Sequence, residues 1–433
     1  MTTRPLRILH VMARYWPAQG GAEGYLHEIS RRLVADGHQV TVATTDALDV
    51  EVFWNPARRR LAQGEARQDG VRIRRFPIRH LPGAPLTYSL WRYHGLRGLA
   101  ALPLPVSLLT RLARCTPWAP GLHAWLEATN EPYDIVGGAG ILYEPFVEAG
   151  LRFATRRGLP FIVYPFTHLG AGQRPGQDVV SRYYTLRHQV ALVKRADAVV
   201  AMTATEKQFY VERGLPAESV TVVGAGVTPG QVLGGDAHSF RASNPGQAFV
   251  VAFIGAMTFD KGALHLLEAI RQLNLAGRPV SLFLIGAPAA PFERLRNRLP
   301  AAIRERVVVL GQVDEAAKKN LLAACDLFAM PSRTDSFGIV YLEAWLYRKP
   351  VIAARAWGMA DVVAEGQDGA LVPFGDVARL AETIGQMMDD PARRAAMGLR
   401  GERKVYERHT WDHVYASLRD TYARLARVAG ERG

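Results

Sequence analysis

Residues 329–350 read AMPSRTDSFGIVYLEAWLYRKP and combine the end of a strand, a turn and the start of a helix. The apolar run 326–330 ends at a proline, and apolar residues at helical spacing follow from Gly338 onward. Asp335 is therefore predicted in the loop and Glu343 inside the helix. The first turn of such a helix offers backbone N–H groups without intrahelical partners, next to a carboxylate that accepts hydrogen bonds. This corner suits a ligand that carries several hydroxyl groups.

Two interpretations of these carboxylates are open at this point. In the first, a nucleoside diphosphate sugar offers hexose hydroxyls to Asp335 and ribose hydroxyls to Glu343, which lies deeper in the helix. In the second, Asp335 only caps the helix and Glu343 is a solvated helix residue. The flanking residues favour the first interpretation.

The flanking residues resemble a known motif. PSRTDSFG at 331–338, LEA at 342–344 and KPVIA at 349–353 are similar to the E-x7-E region of the family 4 glycosyltransferases, which are retaining enzymes of the GT-B fold. The resemblance implies a transferase that moves a hexose from a UDP- or GDP-linked sugar to an acceptor hydroxyl, on a lipid or a cell-envelope glycan. Asp335 stands where the family usually has glutamate, so the charge is kept but the side chain reaches about one methylene less far.

The same resemblance implies a set of donor-binding residues on this loop and helix. They are Asp335, Phe337, Gly338, Ile339 and Glu343.

Strand-like runs and helical stretches alternate along the whole chain, which predicts α/β domains with parallel sheets covered on both faces. A segment rich in glycine, serine and proline, 230–246, separates two such series. The resemblance implies a GT-B arrangement of two doubly wound Rossmann-like domains that face each other across a cleft. The predicted domains are an acceptor-side domain at 1–230, a nucleotide-sugar-binding domain at 231–410, and a terminal helix at 411–433 that returns to the first domain. The predicted strands are 6–12, 39–44, 134–137, 160–164, 198–202, 219–223, 249–254, 280–285, 307–310, 326–330 and 351–353.

Gly20 and Gly21 lie between the first strand and its helix. Glycine there lets the backbone approach a diphosphate, and a helix N-terminus favours negative charge. A plain turn is the alternative. PAQGGAE at 17–23 and GHQVTV at 37–42 resemble the opening of family 4 members, which favours substrate binding.

Lys261 lies in GAMTFDKG at 255–262, directly after the first strand of the second series. The family commonly has arginine after the first glycine, and that arginine and the lysine together neutralise the donor diphosphate. Ala256 replaces the arginine here, so Lys261 remains as the cation, and Arg14 and Arg174 are candidates to substitute for the missing one. A purely structural Lys-Gly helix start is the alternative.

His168 follows the strand at 160–164. The resemblance implies that it contacts the sugar near the reacting carbon, whereas an isolated histidine is more often packed or on the surface. Its expected task is orientation and hydrogen bonding, because front-face attack with retention uses the donor phosphate as the base. His168, Asp335 and Lys261 are the predicted catalytic residues.

GQVDEAAK at 311–318 resembles the nucleobase loop, especially that of the phosphatidylinositol mannosyltransferases, which use GDP-mannose. Guanine presents two adjacent N–H donors that one carboxylate accepts together, so Glu315 is a candidate to read guanine, with Val313 beside it in the loop. The alternative is that Asp314 caps the helix and Glu315 stabilises its first turn. The donor base stays open between uracil and guanine.

No cluster of His, Cys and Asp in the sequence has metal-ligand spacing, and no Asp-x-Asp motif is present. We therefore expect a metal-independent reaction with no cofactor besides the donor substrate. Only Cys115 and Cys325 occur, and neither a signal-peptide pattern nor a bilayer-length apolar run is found. The expected location is the cytoplasm.

Residues 72–126 hold eight arginines and no acidic residue, interleaved with tryptophan and leucine. Residues 1–230 carry 27 basic against 18 acidic side chains, most of the formal charge of +13. The segment from Arg72 to Arg114 is therefore a candidate surface for an anionic membrane on the inner face. A solvated basic face is the alternative, since the chain has 46 arginines but only 7 lysines. No nucleic-acid-binding pattern accompanies the charge.

Two other functions compete with transfer. One is a GT-B isomerase of the nucleotide-sugar 2-epimerase type, which changes the donor without an acceptor. The other is a nucleotide-sugar-binding protein that has lost catalysis. Ala256 and Asp335, which depart from the family pattern, favour this alternative.

Overall fold

The structure is a computed structural model that describes residues 4–432. Its contacts divide the chain into two compact units. The first unit contains residues 4–167, 181–223 and 415–432, and the second contains 168–180 and 224–414. The predicted domain bounds stay a prediction, and each unit is described below by its own residues.

The first unit is built on an eight-stranded sheet in the order β3-β4-β2-β1-β5-β6-β7-β8. Every neighbouring pair is parallel except β3 with β4, which form an antiparallel hairpin at the edge. Chain order runs outward from β1 in one direction and from β5 in the other, so the sheet is doubly wound. The strands are β1 (Arg7–Met12), β2 (Gln39–Thr45), β3 (Gly64–Gln68), β4 (Val71–Phe76), β5 (Ile135–Ala139), β6 (Phe161–Tyr164), β7 (Ala198–Ala201) and β8 (Val220–Val222).

The second unit is built on a six-stranded parallel sheet in the order β11-β10-β9-β12-β13-β14. Its strand order reverses between β9 and β12, which places the loops that follow these two strands side by side. The strands are β9 (Val250–Ile254), β10 (Ser281–Ile285), β11 (Val307–Gly311), β12 (Leu327–Met330), β13 (Val351–Ala354) and β14 (Gly369–Val372).

Helices connect most of these strands. The α-helices are α1 (Gly21–Ala35), α2 (Leu86–Ser89), α3 (Leu96–Ala101), α4 (Val106–Ala113), α5 (Pro120–Ala128), α6 (Glu144–Arg157), α7 (Arg187–Val193), α8 (Ala204–Val211), α9 (Pro229–Val232), α10 (Ala237–Ser243), α11 (Ala263–Leu275), α12 (Ala290–Asn297), α13 (Ala301–Arg304), α14 (Glu315–Ala324), α15 (Ile339–Leu346), α16 (Met359–Val362), α17 (Val377–Asp389), α18 (Pro391–Arg408) and α19 (Trp411–Arg432). Short 3₁₀ turns occur at Val50–Phe53, Ile141–Tyr143, Ser181–Tyr183 and Ala217–Ser219, and a π-helical turn at Leu90–Gly95.

The cores of both units consist of strands that are buried along their whole length, such as β6, β10 and β13. Burial on both faces explains why these strands appear in the sequence as continuous apolar runs. All the strands predicted from the sequence are present, with ends that differ by one or two residues.

The last helix contributes a buried polar contact to the first unit. The hydroxyl of Tyr422 lies 2.7 Å from Nε2 of His10 and 2.9 Å from the hydroxyl of Tyr164. Burial lowers the pKa of His10 to about 3, so its imidazole is neutral.

The arginine-rich segment is less charged at the surface than its composition suggests. Four of its arginines pair with glutamates from elsewhere in the chain: Arg72 with Glu65 at 2.7 Å, Arg74 with Glu65 at 3.4 Å, Arg92 with Glu144 at 2.6 Å and Arg114 with Glu148 at 2.6 Å. The side chain of Arg92 is only 3% exposed, so its assignment to a membrane-facing surface was wrong. Arg79 and Arg111 are exposed and Arg97 is half-buried.

Over residues 4–432, no helix combines the length and the apolar character that a bilayer crossing requires.

Candidate functional site

The loops after β9 and β12 meet at the point where the strand order of the second sheet reverses. The backbone N–H of Arg333 donates to the carbonyl of Asp260 at 2.9 Å, and its guanidinium binds the Asp260 carboxylate at 2.7 Å. A Cβ on Gly262 would lie 2.3 Å from the carbonyl oxygen of Pro331, so only glycine permits this approach. The two loops therefore form one connected surface.

Lys261 and Asp335 form an ion pair across these loops, with Nζ 2.6 Å from Oδ1. The other carboxylate oxygen, Oδ2, is buried and has no hydrogen-bond partner among the described residues. Burial alone would raise the pKa of Asp335, but polar neighbours, of which Lys261 acts most strongly, oppose it, and the pKa is below its ordinary value. The site thus holds an ionised carboxylate with one oxygen available to a donor group.

His168 lies in the same unit and close enough to this pair to be affected by both charges. Burial, together with the Lys261 charge, lowers the pKa of His168 to about 4, although Asp335 acts in the opposite direction. The imidazole is therefore neutral near pH 7 and has one donor and one acceptor nitrogen. The three predicted catalytic residues lie together, and their roles stay predictions.

The segment that carries His168 is attached to the second unit by Trp357, which follows β13. The backbone N–H of Trp357 donates to the carbonyl of Gly170 at 3.0 Å, and its indole N–H donates to that of Gly172 at 2.9 Å. Sequence reasoning did not identify Trp357, because its partners lie far away in the chain.

Glu343 lies on α15, and its side chain is only 14% exposed. Its Oε1 accepts from Nζ of Lys318 at 3.2 Å, whereas Oε2 is buried without a hydrogen-bond partner among the described residues. Burial raises the pKa of Glu343 despite the attraction of Lys318. The interpretation of Glu343 as a solvated helix residue is therefore wrong.

The start of α15 follows Gly338, whose φ of 84° favours glycine. Asp335 does not cap this helix, since no side-chain capping hydrogen bond is formed at its N-terminus. Phe337 is buried, and Ile339 begins the first turn of the helix. In this turn the N–H of Tyr341 donates to the carbonyl of Gly338 at 3.0 Å, which leaves the N–H groups of Ile339 and Val340 as the donors that a helix start offers to a ligand.

The loop after β11 leads into α14 through Val313, which is half-buried. Asp314 caps this helix by accepting from the backbone N–H of Ala317 at 2.8 Å. Glu315 is 73% exposed and lies 3.0 Å from Nζ of Lys318. Glu315 thus stands near the ion pair of Glu343 and remains accessible to a ligand.

Ala256 is exposed. Alanine supplies no positive charge at the position where the family commonly has arginine. Of the substitute cations, Arg14 belongs to the first unit and is paired there with Glu23 at 2.6 Å. Arg174 is exposed on the segment that carries His168. Arg333, which the sequence argument did not consider, lies on the same loop as Asp335 but is occupied by Asp260.

Gly20 and Gly21 stand in the first unit at the start of α1. A Cβ on Gly20 would lie 2.1 Å from Oε2 of Glu23, so a larger residue would displace the Arg14–Glu23 pair. Their contact with a substrate stays a prediction.

Within the described part of the chain, no group of three or more His, Cys, Asp or Glu residues could hold a metal ion.

Comparison with known proteins identifies the family. The model of the glycosyl transferase 4-like domain matches residues 20–226, and that of the glycosyl transferases group 1 matches residues 236–404. A Catenulispora acidiphila protein named D-inositol 3-phosphate glycosyltransferase 1 is 30% identical over 394 residues, which cover 87% of this chain and 84% of the relative. The chain therefore belongs to the family 4 glycosyltransferases.

Two further similarities are more limited, one in the length that it covers and the other in sequence identity. A Corynebacterium glutamicum protein named GDP-mannose-dependent monoacylated alpha-(1-6)-phosphatidylinositol monomannoside mannosyltransferase is 34% identical over 170 residues, 38% of this chain and 44% of that protein. The Anabaena protein HepE, solved in complex with UDP, matches with a TM-score of 0.68 and 20% identity, covering 97% of this chain and all of HepE. At that identity the match concerns the fold alone, and it confirms the predicted GT-B architecture of two Rossmann-like units.

Proposed function

We propose that this glycosyltransferase moves a hexose from a UDP- or GDP-linked sugar to an acceptor hydroxyl with retention of configuration. One observation carries the proposal: the ionised Asp335, held by Lys261 beside a neutral His168, has a buried oxygen without a partner. A buried polar atom without a partner costs free energy unless a ligand satisfies it.

Lys261 is the proposed contact of the donor diphosphate. Its ammonium supplies positive charge where the departing diphosphate becomes more negative, and the first turn of α15 adds N–H donors. In this proposal Lys261 and the helix meet the leaving-group charge without a divalent ion. Asp335 then keeps Lys261 in place and accepts a hexose hydroxyl through Oδ2.

His168 is proposed to orient the hexose. A group whose pKa is about 4 is a weak base at neutral pH, so proton abstraction from the acceptor does not suit it. Retention by front-face attack instead uses the donor phosphate as the base, which leaves His168 to exchange hydrogen bonds with the sugar.

Glu343 is proposed to accept the ribose hydroxyls, and Glu315 to contact the base. Both side chains belong to elements that follow strands of the second sheet at its carboxyl end, where open α/β sheets bind ligands. HepE was solved with UDP and the Corynebacterium relative is named for GDP-mannose, so both bases remain in the proposal.

The acceptor is proposed to be a phosphorylated polyol, free or on a lipid. The two relatives are named for D-inositol 3-phosphate and for a phosphatidylinositol mannoside, which share that chemistry. The proposed location is the cytoplasm, with peripheral attachment to the inner membrane face.

Exposed leucines support attachment to an anionic membrane. Leu86, Leu90, Leu102 and Leu108 are exposed in the helical segment that also carries Arg97 and Arg111. Leucine and arginine side chains together suit the interface of an anionic bilayer, with about 1 kcal/mol for each basic residue near the surface.

Incubation with labelled UDP- and GDP-hexoses tests the transferase proposal. D-inositol 3-phosphate and phosphatidylinositol vesicles serve as acceptors, with and without EDTA. We expect labelled product with the donor's anomeric configuration and no effect of EDTA. Conversion of the donor to a different nucleotide sugar in the absence of acceptor would indicate the epimerase-type isomerase. Donor binding without any turnover would indicate a protein that has lost catalysis.

Cosedimentation with vesicles tests membrane attachment separately. The wild-type protein should bind phosphatidylserine-containing vesicles at low salt and lose them at high salt. A variant that replaces Arg79, Arg97 and Arg111 by glutamine should bind these vesicles much less. Arg92 is left unchanged because its side chain is buried and cannot contact a membrane. If equal amounts of protein sediment with neutral and with anionic vesicles, the arginine side chains do not attract the protein to the membrane, and the proposed attachment to an anionic surface is wrong.

A further inference from the structure

Lys318 joins two carboxylates that the sequence argument treated separately. It lies one helical turn after Glu315 on α14, and its Nζ is 3.0 Å from Oε2 of Glu315 and 3.2 Å from Oε1 of Glu343. The side chain of Lys318 is only 19% exposed. The lysine is thus held between an exposed and a buried carboxylate.

The contact restrains only one oxygen of Glu343. Oε1 accepts from Lys318, and Oε2 is buried without a hydrogen-bond partner among the described residues. A carboxylate accepts two hydroxyl donors only when it is ionised, because a protonated carboxyl turns one oxygen into a donor. The position and the charge of Glu343 therefore both depend on its cationic neighbour.

We propose that Lys318 is a positioning residue for nucleotide binding: it holds Oε1 of Glu343, keeps the carboxylate ionised, and so leaves Oε2 as an acceptor for ribose hydroxyls. The inference rests on the proposed function, in which Glu343 contacts the ribose. The second contact of Lys318, to Glu315, connects the ribose carboxylate to the start of α14, where the base is proposed to bind.

The charges around Glu343 agree with this role. Burial raises its pKa, Lys318 lowers it, and the negative charge of Glu315 raises it further. Directly after its helix, the hydroxyl of Tyr347 accepts from the backbone N–H of Gly235 and donates to the carbonyl of Val232. Without Lys318, burial and Glu315 would both favour the protonated carboxyl.

Among the described residues, Lys318 is the cation whose charge lowers the pKa of Glu343. α9 and β13 contain no titratable side chain. On α18, Lys404 is paired with Asp368, and Glu402 with Arg348. Removal of Lys318 should therefore act on Glu343 directly.

Calorimetric titration with UDP and with GDP from pH 5.5 to 8.5 tests the inference. The variants are Lys318→Met, Lys318→Arg, Glu343→Gln and, as a matched control, Lys319→Met on the adjacent position. In Lys318→Met the pKa of Glu343 rises, so binding should be tenfold or more weaker at low pH and should recover as pH increases. Lys318→Arg should bind nearly as the wild type does, and Lys319→Met should be unchanged.

A double variant adds a second readout. Once Glu343 is glutamine, loss of Lys318 should weaken binding little further, because both changes remove the same interaction. Circular dichroism checks the fold of each variant, and Lys318→Gln takes the place of Lys318→Met if the latter does not fold.

The outcomes separate the inference from the proposed function. If Glu343→Gln binds as the wild type does, or if the wild type binds neither nucleotide, the ribose role fails and the inference with it. If Glu343→Gln is weak but Lys318→Met matches the wild type at every pH, the proposed function stands and the inference fails. A loss in Lys318→Met that is the same at every pH would show that Lys318 only attracts phosphate charge, and would also overturn the inference.

Discussion

Two lysine–carboxylate pairs, Lys261–Asp335 and Lys318–Glu343, lie in the second unit. Their carboxylates lie on the loop and the helix that follow β12, whereas the lysines come from the loop after β9 and from α14. In each pair the lysine holds one carboxylate oxygen, and the other oxygen is buried without a partner among the described residues. The pKa values nevertheless move in opposite directions, because the pKa of Asp335 is lowered and that of Glu343 is raised.

The surroundings of the two lysines explain this difference. Among the described residues, Lys261 is paired with Asp335 alone, and its charge and its hydrogen bond both lower the pKa of that carboxyl. Lys318 is shared between two glutamates, and the second of them, Glu315, repels charge on Glu343. A lysine partner is therefore enough to lower the pKa of one buried carboxyl, but the pKa of the other stays raised by burial and by a second carboxylate.

The largest effect is expected from Lys261→Met, which breaks the first pair. It removes the proposed contact of the diphosphate and leaves Asp335 buried without its cation. We expect kcat to fall roughly a hundredfold or more, corresponding to about 3 kcal/mol of transition-state stabilisation. Affinity should fall far more for UDP or GDP than for uridine or guanosine, measured by calorimetry. Equal losses for nucleotide and nucleoside would contradict the phosphate contact.

Asp335→Asn keeps the shape of the side chain and removes its charge. We expect kcat to fall by roughly tenfold to a hundredfold, with a smaller change in the affinity for free UDP or GDP, because the proposed partner is the hexose. Since the folded-state pKa of Asp335 is lowered, its contribution to stability is present above its unfolded pKa and is lost as pH falls through the folded value. Asp335→Asn should therefore lower the unfolding temperature at pH 7. A loss of free-nucleotide affinity as large as that of turnover would reject the hexose role.

Glu343→Gln should show the reverse pattern. Loss of the ribose acceptor is expected to weaken sugar nucleotide and free nucleotide equally, by about 1–3 kcal/mol, with kcat at saturating donor nearly unchanged. Because the folded-state pKa of Glu343 is raised, its ionisation opposes folding, and this cost appears as pH rises from the unfolded-state pKa to the folded-state pKa and is constant above it. The unfolding temperature of Glu343→Gln at pH 7 should be equal to or higher than that of the wild type. A clear decrease would mean that the Lys318 pair stabilises the fold.

Most strands could be predicted from the sequence because burial on both faces leaves continuous apolar runs, although the short buried strand β14 was missed. The hairpin of β3 and β4 was missed for the opposite reason. The edge strand β3 reads GEARQ and has no large apolar residue, whereas its neighbour β4 reads VRIRRF and mixes arginine with apolar residues. These arginines were counted as a charged segment rather than as the outer face of a strand.

Most of the individual site residues could be predicted from the sequence, but the ion pairs that they form could not. Lys261 and Asp335 meet because β9 and β12 are neighbours in the sheet, and strand order is not encoded locally. Lys318 was missed because nothing near it in the chain indicates its contact with Glu343. Arg92 was misread for the same reason, since its partner Glu144 lies on a helix 52 positions away.

The smallest effect is expected from Ala256→Arg, which adds a cation near the first pair. Ala256 is exposed after β9, in the loop that carries Lys261, so a longer side chain can extend into solvent or toward a bound phosphate. A charge-assisted contact there should tighten binding of UDP or GDP by about 1 kcal/mol, roughly fivefold, and that of the nucleoside monophosphate by less. Ala256→Gln is the matched control for length without charge and should bind as the wild type does. Weaker binding by Ala256→Arg, with Ala256→Gln unchanged, would show that another cation already occupies the position and that Lys261 does not act alone.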